Sequence, residues 1–348
     1  MSRPAKGSGD SSAGRTFAEV PTVAVIGCGV VGRRVARQLT ASGLVDRLIL
    51  GARRPQRLHG FVRQLLDVDV DVVAPGPLPA AEITVLAQPG GGHAELAEEA
   101  LGNGSHVVSV SEAVGDVQGL LDLDATANKA ERAVIVGAAF SPGMSCLLAR
   151  HCGQRFDQVE EVHVARMGTG GPACQRQLHR ARTKDAVEWR NGDWIKRPSG
   201  TGRELVWFPD PLGARDCYRA ALPDPLLLAA SFPSADRITA KVAATRRDRF
   251  TAWLPMLRPP HTDGGPGAIR VEIRGVLEGD QATDVIGAID YPSAVAGALA
   301  SISAEWLLQE ALPHGAWSLG MLDDPVPWLQ ELETRGITAA VYEGISTT

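Results

Sequence analysis

Three glycines at fixed spacing, Gly27, Gly29 and Gly32, are the first residues whose pattern implies chemistry. In Gly27-Cys28-Gly29-Val30-Val31-Gly32 the first lets a strand turn sharply, and the second lets backbone approach a pyrophosphate with no Cβ in the way. The third lets a helix pack on its strand. The free N–H groups of that helix, opening at Val30 and Val31, then face the phosphates. Cys28 is expected as a small filler of the turn. About 20 residues on, where an acid commonly receives the ribose hydroxyls of NAD, stands Leu50-Gly51-Ala52-Arg53-Arg54-Pro55. A carboxylate there would repel a 2′-phosphate, whereas two guanidiniums beside an open glycine bind it through charge-assisted bonds. The expected cofactor is NADP, with NAD as the alternative; the plainer reading of Arg53 and Arg54 is a solvated charge run.

Further candidates follow along the chain. Gln88 and Pro89 open the loop Gln88-Pro89-Gly90-Gly91-Gly92-His93. It falls where ligands gather at the carboxyl ends of parallel strands, and is expected to be a flexible loop passing over the nicotinamide ribose. His93 is a candidate proton donor, with a capping role as the plainer alternative. Ser109-Val110-Ser111-Glu112 offers hydroxyls and a carboxylate toward the same crevice, as turn chemistry or as site. In Cys174-Gln175-Arg176-Gln177-Leu178-His179-Arg180 the i, i+4 spacing puts Arg176 and Arg180 on one face if the segment is helical, to hold a substrate carboxylate or, in the plainer reading, as a basic solvated face. His179, a further candidate catalytic residue, points about 100° away from Arg180 if the segment is helical. Tyr218 is a candidate acid, although buried tyrosines usually satisfy a structural hydrogen bond.

These residues need a frame to position them. Thr22–Ile26, Arg47–Leu50, Val68–Val73, Ile83–Ala87, His106–Val110 and Ala133–Val136 read as strands, with helices at Val31–Leu39, Gln56–Leu66, His93–Leu101 and Val117–Arg132. Strand alternating with helix predicts a Rossmann-type doubly wound parallel sheet. Beyond Arg150 the alternation stops; Val159–Met167 and Ile269–Leu277 read as strands of a second, α+β domain for substrate binding or dimerisation. Tyr291–Leu312, rich in Ala and Leu and opening with Pro, predicts a helix that returns to the first domain. The expected division is a tail over 1–20, a dinucleotide-binding domain over 21–150, a substrate domain over 151–290, and a helix and strand over 291–348 returning to the first domain.

Further runs carry a resemblance. Leu121-Asp122-Leu123-Asp124 to Ala130, Val134–Val136, and Gly137-Ala138-Ala139-Phe140-Ser141-Pro142-Gly143-Met144-Ser145 to Leu148 resemble the saccharopine dehydrogenase-like reductases. So do Gly168-Thr169-Gly170-Gly171-Pro172, Phe208-Pro209-Asp210-Pro211-Leu212-Gly213 and the closing stretch at Gly336-Ile337, over about residues 21 to 345. The resemblance implies NAD(P)H chemistry on an imine or its reverse, with Gly171 in a substrate-facing loop. Gln175, Arg176, His179 and Arg180 stand where the lysine-pathway members have a more apolar run, which sets this chain apart from them.

Composition narrows the rest. Among 348 residues, 35 Lys and Arg against 40 Asp and Glu give a formal charge of -5, so no basic field exists for nucleic acid. The five cysteines are odd in number and lack a C-x-x-C pair, which points away from zinc and disulfides and toward a reduced, cytoplasmic setting. No apolar run reaches bilayer length. The expected protein is an NADPH-dependent oxidoreductase acting on a C=N or C=O bond of a small amino- or carboxylate-bearing metabolite, with a homodimer as the base expectation for such an enzyme. A non-catalytic dinucleotide sensor or scaffold is the alternative.

Overall fold

The computed structural model describes residues 20–254, 256, 261–337 and 339–342; the expected tail, Val20 apart, lies outside them. Aliphatic runs in the first third form β1 (Thr22–Ile26), β2 (Arg47–Gly51), β3 (Asp69–Val73), β4 (Ile83–Leu86), β5 (His106–Ser109) and β6 (Ala133–Val136). All of β4 and β6 is buried, as parallel strands covered by helices on both faces require. A mixed sheet follows: β7 (Gln158–Met167), β8 (Ala186–Arg190), β9 (Asp193–Arg197), β10 (Glu204–Phe208), β11 (Gly213–Arg219), β12 (Arg237–Ala243), β13 (Gly267–Leu277) and β14 (Asp280–Asp290). The chain then returns to the first sheet with β15 (Gly315–Ser318) and ends the described part in β16 (Ala339–Tyr342).

The first sheet is parallel throughout, in the order β15-β6-β5-β4-β1-β2-β3. Its strand order reverses between β1 and β4, the switch point where open α/β sheets bind ligands. The second runs β10-β11-β12-β7-β13-β14-β16, with β7 and β12 parallel and the β8–β9 hairpin attached to β12. Two hairpins turn on residues of positive φ, Asn191-Gly192 and Glu278-Gly279, the pattern of a turn whose twist matches its strands.

The helix Val30–Ser42 buries Val31, Val35, Ala36 and Leu39 and stops at Gly43, φ 68°. Against it lies the helix Pro292–Leu308, whose small residues permit close approach: a Cβ on Gly297 would stand 2.7 Å from the Cβ of Arg34. The helix Met144–Gly153, buried along nearly all its length, joins the two sheets, and one apolar core runs through both.

Three expected helices differ. The run Gln56–Leu66 is a 3-10 turn, Pro55–Leu58, and a short helix, His59–Val62, since Gly60 weakens a helix there by about 1 kcal/mol. The run Val117–Arg132 is two helices, Val114–Leu121 and Asp124–Lys129. They break where the Asp124 carboxylate accepts the Ala316 N–H of β15 at 2.9 Å. The helix expected to Leu312 ends at Leu308, where Glu310 takes φ 52°. The described residues from 291 on serve both sheets: the helix and β15 join the first, and β16 pairs with β14 in the second.

Candidate functional site

A cleft of about 1050 Å³ crosses the carboxyl ends of β1, β2 and β4, reaches residues beyond β5, and is walled from the second domain by residues around Gly171. The three motif glycines meet it differently. Gly27 has φ +106° and a Cβ there would lie 2.4 Å from the Gln88 backbone nitrogen, while one on Gly32 would lie 2.1 Å from the Gly27 carbonyl oxygen. Packing fixes both. A Cβ on Gly29, which lines the cleft, would meet nothing within 4 Å. Val30 and Val31 also line the cleft, where the first N–H groups of their helix have no intrahelical partner. Burial pushes the Cys28 thiol up to about 12, so it stays protonated, as a filler would.

Arg53, Arg54 and Arg57 line one end of the cleft and are exposed. No side-chain hydrogen bond or ion pair engages Arg53 or Arg54 among the described residues. Facing them is a wall of Pro75, Pro77, Leu78 and Pro79. Among the described residues lining the cleft, Glu112, at the other end, is the one carboxylate.

The loop Gln88–Gly92, expected to be flexible, is tied at three points. Gly90 N–H donates to Gln177 Oε1 at 3.0 Å, Gly91 N–H donates to Asp116 Oδ2 at 2.8 Å, and the His93 ring spans Gln88 and Ser109. Gln88 and Pro89 line the cleft; the amide atoms of Gln88 are buried with no partner.

Four expected positions are corrected. His93 is fully buried; its Nδ1 pairs with Ser109 Oγ at 2.9 Å and its Nε2 with the Gln88 carbonyl at 3.2 Å. Burial lowers its pKa, so it is a neutral brace of the loop and does not reach the cleft. Tyr218 is buried on β11 under the Arg249 guanidinium, 5.3 Å from its ring, and His179 Nε2 pairs with the Leu254 carbonyl at 2.8 Å. Neither lines the cleft. The segment is a helix, Pro172–Ala181, and of its two arginines Arg176 lines the cleft and Arg180, a turn farther, does not. Gly171 lies at the cleft with φ +133°, where a Cβ would stand 3.0 Å from Val30 Cγ2.

At the other end of the cleft Glu112, 12% exposed at its side chain, pairs with Arg166 of β7, which is fully buried; Oε2 and Nη1 are 3.0 Å apart. The same guanidinium donates to the Ser141 carbonyl at 2.6 Å. Ser141 and Ser145 in turn donate to the buried Asp224 carboxylate at 2.7 and 2.5 Å. Burial raises the Glu112 carboxyl's pKa, and the Arg166 charge opposes the rise. Beside it, burial and then the Glu112 charge push the Cys174 thiol up to about 12. Arg166 carried a signal that went unused: Val162, Val164 and Arg166 share one face of β7 by its period of two, and a cation on a core face needs a partner.

Residues 22–113 match the family model described as NADP oxidoreductase, coenzyme F420-dependent. No curated protein matches the chain. Among solved structures, apo histidine-tagged saccharopine dehydrogenase (L-Glu forming) from Saccharomyces cerevisiae superposes with TM-score 0.66 at 13% identity, over 92% of this chain and 100% of that one. DAP dehydrogenase of C. glutamicum in complex with DAP gives 0.48 at 14% identity, over 91% and 99%. GenD2 from gentamicin A biosynthesis in complex with NAD gives 0.44 at 13%, over 95% and 99%. The chain has the two-domain fold of the yeast saccharopine dehydrogenase, at an identity that speaks for the fold alone, and its first domain is a pyridine-nucleotide-binding oxidoreductase domain. Among the described residues no helix is long and apolar enough to cross a membrane, and no group of side chains is arranged to hold a metal ion.

Proposed function

We propose that this chain is an NADPH-dependent oxidoreductase acting on the C=N or C=O bond of a small amino- or carboxylate-bearing metabolite. The observation that carries the reading is the end of β2, where Arg53 and Arg54 stand exposed at the cleft and no carboxylate competes for the place of a 2′-phosphate. The residues present fit the cofactor. Gly29 leaves room for the pyrophosphate, the amino end of the helix Val30–Ser42 supplies N–H donors and a favourable dipole, and Gln88 and Pro89 border the ribose of the nicotinamide half. When bound, the nicotinamide supplies the hydride chemistry. The chain's own residues then bind and orient: Arg176 receives a substrate carboxylate, and Gly171 keeps the second domain's loop against the dinucleotide turn. The exposed Leu205 and Trp207 on the edge strand β10 support assembly as a homodimer, which sedimentation would weigh, and the five free thiols suit a cytoplasmic setting.

Fluorescence titration of NADPH and NADH tests the cofactor, with NADPH expected to bind at least tenfold more tightly. Loss of reduced-nicotinamide absorbance with paired amines and carbonyl compounds tests the reaction. A preference for NADH overturns the NADP reading; tight NADPH binding without turnover across a broad panel returns the sensor or scaffold.

A further inference from the structure

A second cavity, of about 620 Å³, lies at the β15 edge of the first sheet and shares no lining residue with the cleft. Three of the chain's seven tryptophans line it: Trp306 in the helix Pro292–Leu308, Trp317 in β15 and Trp328 in the helix Val326–Thr334. Trp317 and Trp328 are buried and Trp306 is half-buried. The rings of Trp306 and Trp328 meet edge to face, with centroids 4.6 Å apart and planes at 61°, so they make a corner instead of a stack. Trp317 Nε1 donates to the Pro313 carbonyl at 3.1 Å, which satisfies its polar atom.

Around this aromatic floor stand three exposed carboxylates, Asp124, Asp323 and Asp324. Their printed partners are neutral: Asp124 Oδ1 accepts the Ala316 N–H at 2.9 Å and the Asn128 amide at 3.0 Å, and Asp324 Oδ1 accepts the Val326 N–H at 2.9 Å. Such bonds occupy lone pairs and leave the negative charge in place. None of the three forms an ion pair among the described residues. No Lys or Arg is among the described lining residues, and His314 is the one other titratable group there; Arg150 donates to the Leu322 carbonyl at 2.7 Å without lining the cavity.

We propose that this cavity is a second ligand site, for an organic ammonium: a quaternary or protonated amine on an apolar body, the body against the indoles and the positive nitrogen toward the carboxylates. The volume falls within the roughly 300 to 1,000 Å³ of small-molecule sites. A concave surface lined by charge of one sign concentrates ligands of the opposite sign, which excludes an anion. Indole is the side chain that attracts an organic cation most strongly, and a bare metal ion gains little from such walls. No group among the described residues is arranged to hold one. The site stands apart from the dinucleotide reading, since the two cavities have no residue in common.

The probes are benzyltrimethylammonium, its uncharged isostere neopentylbenzene and the anion phenylacetate, titrated into the full chain by calorimetry and by tryptophan fluorescence at about pH 8, above the ordinary titration range of imidazole. Wild type is expected to bind the ammonium at least tenfold more tightly than the isostere and phenylacetate more weakly still. Asp323→Asn with Asp324→Asn keeps an acceptor for the Val326 N–H and removes two charges; it should cut the preference for the ammonium at least fivefold while NADPH affinity stays within twofold. Trp306→Phe, which keeps a ring at the corner, should weaken the ammonium severalfold, and its denaturation midpoint, measured alongside, separates lost binding from lost folding. Equal binding of ammonium and isostere by wild type, an undiminished preference in the double Asn protein, or no saturable binding of the ammonium overturns the proposal.

Discussion

The two ends of the cleft use charge in opposite ways. At the β2 end, Arg53 and Arg54 stand in solvent with no side-chain partner among the described residues. Their charge costs the fold little and is available to a ligand, at the expense of screening by salt. At the β5 end, Glu112 and Arg166 are withdrawn from water and matched to each other, so their charge belongs first to the fold. Exposed charge selects by what it attracts, and buried charge selects by what it would cost to leave unmatched.

The largest expected effect sharpens that contrast. Arg166→Met strands Glu112 and should cost about 3 to 5 kcal/mol of stability, read as a lowered denaturation midpoint, and adding Glu112→Gln should recover most of it. Were the single change neutral, the β5 end would be as solvated as the β2 end. Next comes Gly29→Val. Its backbone, φ -79° and ψ -155°, accepts a β-branched residue and the added Cβ meets nothing, so the fold should stand while NADPH affinity falls at least a hundredfold, about 2.7 kcal/mol. Unchanged affinity would move the pyrophosphate elsewhere.

Arg53→Ala with Arg54→Ala should weaken NADPH ten- to a hundredfold, about 1.4 to 2.7 kcal/mol, leave NADH nearly unchanged, and flatten the salt dependence of NADPH binding. Equal loss for the two cofactors would assign these arginines to the pyrophosphate. The smallest effect separates the ends by pH. Folding holds the His93 pKa below its ordinary value, so below about pH 6.5 the unfolded chain takes up a proton that the folded chain refuses. Stability then falls with acidification by at most about 1.4 kcal/mol per pH unit. His93→Gln should flatten that limb in acid denaturation curves; an unchanged slope would mean that the ring is not the group refusing the proton.

Most of the first sheet is legible in its residues because parallel strands covered on both faces are short, continuous and apolar: Val23, Val25, Ile83, Val85, Val134 and Ile135 are all fully buried. The dinucleotide turn is legible for a similar reason, since each glycine answers a local steric demand. Helix ends were harder. The break at Asp122–Leu123 depends on β15, almost 200 residues away in the chain, and no local propensity encodes it. The site divided along the same line. Arg53 and Arg54 act where the chain places them, next to the glycine turn. Glu112 was visible as a carboxylate near the crevice, but its meaning comes from Arg166, Ser141 and Asp224, which three separate segments bring together. His93, Tyr218 and His179 had the right chemistry and the wrong surroundings, for burial and hydrogen bonds already occupy them.

The strand β15 pairs with β6 although about 180 residues lie between them in the chain. During synthesis at 5 to 20 residues per second, roughly 10 to 40 seconds pass between the emergence of one and of the other. For that interval β6 is an open sheet edge, a template for strangers as much as for its partner. The nascent chain must therefore shelter this edge while all of the second sheet but β16 is being made. A release of the polypeptide short of residue 318 would yield an aggregating fragment rather than a smaller enzyme.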